Sequence, residues 1–303
     1  MIRLGLCCKF LRYPVAFRDA TATAVLKLGR SEALQKLSGL CLHNANALHE
    51  ALQFCADNGI GDFRVNSRIL PLKTHPSAGY AIGDLSAADE IIERFREAGA
   101  FARNRDLRLT FHPDPFVVLN SPDPDVVVRS VAELEYQAEV AAWIGADVIN
   151  LHAGGVYGDS RAALVRLRRT WRSLPSLIRR RLTLENDDRS YTPRALLPFC
   201  EGEGIPFVYD VHHHRCLPDG LSVDDVTARA MRTWDREPLF HVSSPRSGRC
   251  GGDPRPHADY IAPGDVPACW CGLNVTVEVE AKAKDLAVLR LRRWLLRQAR
   301  VPR

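Results

Sequence analysis

Apolar and β-branched residues gather in short runs along the whole chain, at 2–7, 62–66, 107–112, 147–152, 182–185, 206–210, 239–242 and 275–280. Runs of this length, bounded by polar stretches, read as strands. Between most of them the apolar residues recur at helical spacing, in 40–54, 86–102, 125–144 and 161–174. The third of these opens on a Pro-Asp-Pro turn that suits a helix start. In the fourth, Leu164, Leu167, Trp171 and Leu174 share one face and the arginines take the other. Eight strands alternating with helices imply parallel pairing, because each parallel crossover needs a helix. The count of eight, and the lack of a Gly-x-Gly-x-x-Gly loop after the first strand, favour a closed (β/α)8 TIM barrel of the α/β class over an open doubly wound sheet. Residues 1–303 read as one barrel domain. The stretches 9–39 and 245–256 read as loop insertions, and a basic tail runs from about residue 290.

Composition narrows the class without naming a partner. The 303 residues are 46% hydrophobic and 25% charged, which excludes a disordered chain or a coiled-coil rod. No apolar run approaches the ~18–20 residues of a membrane span, and the first residues read as a strand instead of a secretory leader. Nine cysteines without a Cys-x-x-Cys pair suit reduced thiols packed in a cytoplasmic protein, with Cys269 and Cys271 only a weak metal pair. A cytoplasmic monomer without a membrane partner is therefore expected. The net charge is +5, yet only six of the 41 basic residues are lysines. Arginine is the better phosphate fork, although a GC-rich genome would give the same bias.

The strand ends carry the chemistry. In a barrel the C-terminal ends of the strands face the active site. Here they bear His112, His152, Glu185, Asp210 with His213 just beyond, His241 and Glu280, while His257 follows the seventh strand. A single histidine or glutamate at such a position is most often a hydrogen-bonded core residue or a solvated charge. Six successive strands delivering imidazole or carboxylate to one rim is a different pattern, because converging carboxylates repel unless a cation joins them. A donor set without thiolate suits Zn2+, Mn2+ or Fe2+ better than Ca2+ or an iron–sulfur cluster. Eight donors exceed the needs of one ion. Two or three ions ~3.5–4 Å apart, bridged by Glu185 and Asp210, would use them and would suit in-line displacement at phosphorus. Gly154-Gly155 leaves the backbone after His152 open to a ligand, and Arg246 and Arg249 lie in a loop on the same face. Eight arginines between 161 and 181, with no acid among them, are expected on a solvated outer face.

Several motifs together resemble the UV damage endonuclease family. They are Phe-His-Pro-Asp-Pro-Phe at 111–116, Leu-His-Ala-Gly-Gly at 151–155, Leu-Glu-Asn-Asp-Asp-Arg at 184–189, Tyr-Asp-Val-His-His-His at 209–214, His-Val-Ser at 241–243 and Val-Glu-Ala-Lys-Ala-Lys at 279–284. Ile-Arg-Leu-Gly at 2–5 and the stretch 63–71 resemble it too. The resemblance implies a repair enzyme related in fold to endonuclease IV, which recognises UV photoproducts in duplex DNA and cuts immediately 5′ to them. It implies that His112, His152, Glu185, Asp210, His213, His241, His257 and Glu280 hold divalent metal, typically Mn2+ with Zn2+ or Mg2+ as alternatives. Glu185, Asp210 and Glu280 would be the catalytic carboxylates. Lesion probing and DNA contact fall to Pro115, Phe116, Arg64, His75 and Lys282. The sequence departs from the family at Pro115-Phe116, where a Gln-aromatic pair is common, and at Leu239, where some members carry a modified lysine. It departs again at Leu6 and Phe10, where some have Tyr and Asn near the lesion. A xylose-isomerase-like sugar isomerase or epimerase would need fewer histidines. A catalytically degenerate damage-binding barrel would bind few ions.

Overall fold

The computed structural model describes residues 2–248 and 251–298. Eight strands, β1 (Arg3–Cys7), β2 (Asp62–Val65), β3 (Arg108–Phe111), β4 (Val148–His152), β5 (Leu182–Glu185), β6 (Phe207–Asp210), β7 (Leu239–Val242) and β8 (Thr276–Val279), pair in sequence order. All pairs are parallel, and β8 closes on β1 with Leu4 opposite Val277 and Leu6 opposite Val279. The fold is the (β/α)8 TIM barrel. Among the described residues no helix is long and apolar enough to cross a membrane.

The four helices predicted from apolar spacing are present, one of them longer than expected, while α6 (Ser176–Arg179), α7 (Pro193–Glu203) and α9 (Val223–Arg232) are further helices that the spacing does not mark. Helix α3 spans Ala88–Asn104, α4 Pro124–Ile144 and α5 Ser160–Ser173. Asp123 caps α4 by accepting from the Asp125 amide, and Gly145 ends it with a left-handed φ of 80°. The segment 9–39 is no simple loop. It holds a one-turn helix, α1 (Ala22–Val25), and the first third of the 28-residue α2 (Arg30–Asp57). Ala33, Leu37 and Cys41 begin the buried stripe of α2, but Ser38-Gly39 interrupts it and hides the helical period. Buried Asn44 in that helix uses its amide on the backbone of Arg18 and Ile69, fixing the loops that follow β1 and β2. The described residues of 245–256 form no helix or strand, and an antiparallel bridge joins Pro245 to His257. Arg249 lies outside the described residues.

The arginine-rich stretch 161–181 is more engaged than a solvated face. Arg168 and Arg172 converge on Glu203 of α7 (Pro193–Glu203), and Arg181 is buried against the carbonyls of Ala146 and Leu177. The described part of the basic C-terminal run lies in α10 (Lys284–Gln298), where Arg292 donates to the Gly59 carbonyl. Gly59 lies just ahead of β2, at the end of the barrel opposite the strand C-termini.

Gly5 is the one inward-facing position of β1 that stays empty of side chain. A Cβ there would collide with Asp62 Oδ2 and lie 2.9 Å from Glu278 Cγ. By contrast, Gly39 in α2 is exposed with nothing within 4 Å of an added Cβ. Gly5→Ala should destabilise the protein by roughly 1–3 kcal/mol through overpacking. Gly39→Ala should stabilise it by about 0.5–1 kcal/mol through helix propensity. Urea denaturation of the two variants checks the opposite signs.

Candidate metal centre

Alternate residues of a strand point to the same side, so each barrel strand sends every second side chain inward. In most barrels bulky aliphatic residues fill that space. Here an apolar plug of Val148, Val208 and Leu239 occupies only one level. Above it the inward positions are polar: Asp62 and Arg64, Thr110, Asn150, Thr183, His241 and Glu278, all buried. The next inward positions, at the strand ends, are His112, His152, Glu185, Asp210 and Glu280. Sequence reasoning found this uppermost level and, of the polar level beneath it, named only His241 as a ligand and Arg64 in another role. The signal was there in the alternation Arg108-x-Thr110-x-His112, Val148-x-Asn150-x-His152 and Thr276-x-Glu278-x-Glu280.

Glu185 is the hub. Its Oε2 lies 3.0 Å from His112 Nε2, and its Oε1 lies 3.2 Å from both His213 Nδ1 and His241 Nδ1. His241 Nδ1 is also 3.5 Å from Glu280 Oε1 and 4.0 Å from Asp210 Oδ2. Donor atoms converge in three overlapping groups: His112, His152 and Glu185; His112, His241 and Glu280; Glu185, Asp210 and His213. The structure thus brings seven of the eight expected ligands together. His257 stands at the edge, its Nδ1 3.9 Å from Glu280 Oε2 and 3.4 Å from Ser243 Oγ, and belongs to none of the three groups.

Local structure explains how each donor is aimed. Asp210 ends β6 and caps the short helix α8 (Val211–Cys216), its Oδ1 accepting from the His213 amide at 2.7 Å. That leaves Oδ2 for the site and returns His213 to the same side one turn later. The flanking histidines turn away: His214 is held between the Tyr209 hydroxyl and Asp219, and His212 reaches the Arg255 carbonyl. Asn150 donates to Glu185 Oε2 at 2.6 Å and accepts from the Thr183 hydroxyl. Asn186 exchanges two hydrogen bonds with the Asp210 backbone.

The donor set fits a divalent cation. His152 Nδ1, Glu185 Oε1, Asp210 Oδ2 and His241 Nδ1 are all buried without a hydrogen-bond partner. Buried polar atoms left unpaired at one place are costly, and a cation satisfies them together. The protonation balance agrees. Burial would raise Glu185, but the neighbouring imidazoles of His241, His152, His112 and His213 hold it well below the ordinary carboxylate range. Burial would lower His241, yet the Glu185 carboxylate outweighs it and, with Glu280, pushes it up to about 10. With no cation present, a proton on His241 supplies positive charge. Deeper in the barrel, burial and then the charge of Glu278 push the Asp62 carboxyl well above its ordinary value, favouring the neutral acid.

The expected DNA-contact residues divide. Phe116 is 65% exposed beside exposed Pro115 at the rim, and with His75 it lines a cavity of about 560 Å3. The loops carrying them are joined by Arg68 Nε on Asp114 at 3.2 Å. Lys282 is exposed beyond β8. Arg64 does not reach the surface. Its guanidinium turns into the barrel, where Glu278 takes Nε and Nη2 and Glu280 takes Nη1 at 2.7 Å. This corrects its reading as a DNA contact. Leu6 is fully buried in the hydrophobic core on the face of β1 opposite Gly5, and so is not a lesion-facing position. Phe10 packs edge-on against Phe54. Gly154 adopts a φ of 86° against the Asn120 side chain, and the Gly155 carbonyl accepts from Asn120 and Tyr191. Cys269 sits near Thr227 instead of in the metal centre.

Fold and site together define a parallel barrel whose mouth is a dense imidazole–carboxylate centre. A match to the UV-endonuclease UvdE family spans residues 2–302, and the chain belongs to that family. A UV DNA damage endonuclease of Bacillus velezensis is 36% identical over 287 residues, covering 90% of this chain and 87% of that protein. The crystal structure of SacUVDE superposes with a TM-score of 0.87 at 26% identity, over 99% of this chain and 100% of that one. Endonuclease IV of Thermus thermophilus shares the fold, with a TM-score of 0.63 at 17% identity over 98% and 99% of the two chains.

The raised His241 sets a pH dependence for the metal-free protein. A histidine whose folded value exceeds its unfolded value of 6.5 stabilises fully below about 6.5, and that stabilisation is lost as pH rises through about 10. Chelator-treated protein should therefore lose stability from pH 7 to pH 10, and His241→Gln should show a flatter profile. Urea midpoints across that range check this.

Proposed function

We propose that the protein is a divalent-metal-dependent endonuclease that incises UV-damaged duplex DNA immediately 5′ to the photoproduct, acting as a cytoplasmic monomer. The observation that carries the metal dependence is the set of buried, unpaired donor atoms on His152, Glu185, Asp210 and His241, turned toward one another at the barrel mouth. The lesion preference rests on membership of the family and on relatives named UV DNA damage endonuclease.

In this reading His112, His152, Glu185, Asp210, His213, His241 and Glu280 hold two or three ions, with His257 completing the edge, and Mn2+ is the expected metal. Bound divalent ions supply Lewis acidity and lower the pKa of water, the two aids an in-line displacement at phosphorus needs. Glu185 bridges the donor groups, and Asn150 keeps its second oxygen oriented. Asp210 keeps Oδ2 available only because Oδ1 is engaged at the start of α8. Phe116 serves as an apolar wedge between bases at the rim, and Pro115, which has no amide hydrogen, stiffens its approach. His75 and Lys282 contact the DNA on either side. Hydrolysis leaves a 3′-hydroxyl and a 5′-phosphate.

With Mn2+ present, UV-irradiated plasmid should be nicked and untreated plasmid left intact. EDTA should abolish the nicking and added Mn2+ restore it. Glu185→Gln should lower the rate by about 100-fold or more. Equal nicking of both plasmids, or full activity in Glu185→Gln, overturns the proposal. Phe116→Ala should change stability by no more than about 0.5 kcal/mol, because the ring is exposed. Its affinity for irradiated duplex, read by fluorescence anisotropy, should fall by roughly tenfold, as for the loss of one stacked or wedged ring.

A further inference from the structure

His241 meets the metal centre through Nδ1, while its Nε2 edge faces down the barrel into a cluster that ligates nothing. Nε2 lies 3.0 Å from Glu278 Oε2 and 3.0 Å from Arg64 Nη2. An imidazole that offers the Nδ1 lone pair to a cation carries its proton on Nε2. Arginine has no lone pair to receive that proton, so Glu278 is the acceptor at this edge. Glu278 is itself held firmly: Arg64 Nε donates to Oε2 at 2.5 Å and the Thr110 hydroxyl donates to Oε1 at 2.5 Å. Arg64 also spans to the ligand Glu280, so one guanidinium ties the supporting carboxylate to a ligating one.

The opposite tautomer would gain only Arg64 Nη2 as a donor to Nε2, and that nitrogen already pairs with Glu278. With the proton on Nδ1, the 3.0 Å approach of Nε2 to Glu278 Oε2 would set two lone pairs against each other, and an N–H would point at the cation site. The clustered histidines are not all served alike. His112 has only a backbone carbonyl, that of Pro113 at 3.1 Å, behind its ligating edge. A carboxylate in that place also raises the basicity of the ring it supports.

We propose that Glu278, clamped by Arg64 and Thr110, is a positioning residue that fixes His241 as the Nε2–H tautomer and so presents Nδ1 to a divalent cation. The proposal rests on the metal-centre reading above, and it assigns a role to a residue outside the proposed ligand set.

Two measurements test it. In Zn2+-loaded protein with 15N-labelled histidine, two-bond 1H–15N correlations report the tautomer of each ring, and comparison with His241→Gln assigns His241. The expected state is protonated Nε2 with metal on Nδ1. A proton on Nδ1 overturns the proposal, and this measurement needs only the wild-type chain. Calorimetric Zn2+ titration should then show one ion bound about 10–100-fold more weakly in Glu278→Ala. Glu278→Gln, which keeps an acceptor oxygen, should lose less and retain the tautomer. A folded Glu278→Ala protein with wild-type Zn2+ affinity sinks the role of Glu278 while leaving the metal centre intact. A wild-type protein that binds no Zn2+ or Mn2+ overturns both readings, and the flat titration distinguishes that case.

Discussion

A closed barrel has to fill its own interior, and this one fills much of it with charge. The interaction on which that depends is the contact of Arg64 with Glu278 and Glu280. Burial of two adjacent carboxylates is prohibitive unless a cation lies between them, and the guanidinium satisfies both at once. Burial alone would raise Glu278, but Arg64 first and His241 second bring it down to about 2, so it stays an acceptor throughout the neutral range. With this pair settled, His241 has a defined partner below and Glu280 a defined orientation above. The strand-end donors can then be left unpaired without the interior collapsing around them.

The architecture was readable because it follows from period and count. Eight short apolar runs separated by helical stretches leave few topologies, and the donor residues stood at the ends of the runs. What the apolar pattern could not show was the second inward level. Thr110, Asn150, Thr183 and Glu278 each sit inside a run that reads as apolar overall, and only their spacing of two from His112, His152, Glu185 and Glu280 betrays their direction. Arg64 was misread for a related reason. A long basic side chain near a loop suggests the surface, but its position on β2 shares the inner face with Asp62. Leu6 stands apart from the barrel mouth through parity, since one residue along a strand separates the barrel interior from the helical layer. The start of α2 was missed because Ser38 and Gly39 break its stripe, although tertiary contacts at Ala33 and Leu37 supply what propensity lacks.

The rim is assembled by different means from the centre beneath it. Asn44 grips the loops after β1 and β2, the Tyr136 hydroxyl binds the backbone of Ser67 and Leu70, and Arg68 joins that loop to Asp114. These bonds fix the bases of the loops and leave Phe116 projecting. A rigid donor set below and a braced but protruding apolar side chain above give the barrel mouth two separable mechanical properties.

The pairing of β8 with β1 has a consequence for the order in which the protein matures. Glu280 comes from just beyond the last strand, while Arg64, which orients it, comes from the second, and the two meet only when the ring closes. Contacts so distant in sequence form late. A nascent or partly unravelled chain therefore holds its histidines and carboxylates on separate strands, without a complete binding set. Assembly of the ion-binding centre is thus a report that the whole circuit of strands has joined, and a chain that has not completed it carries no functioning cutting site.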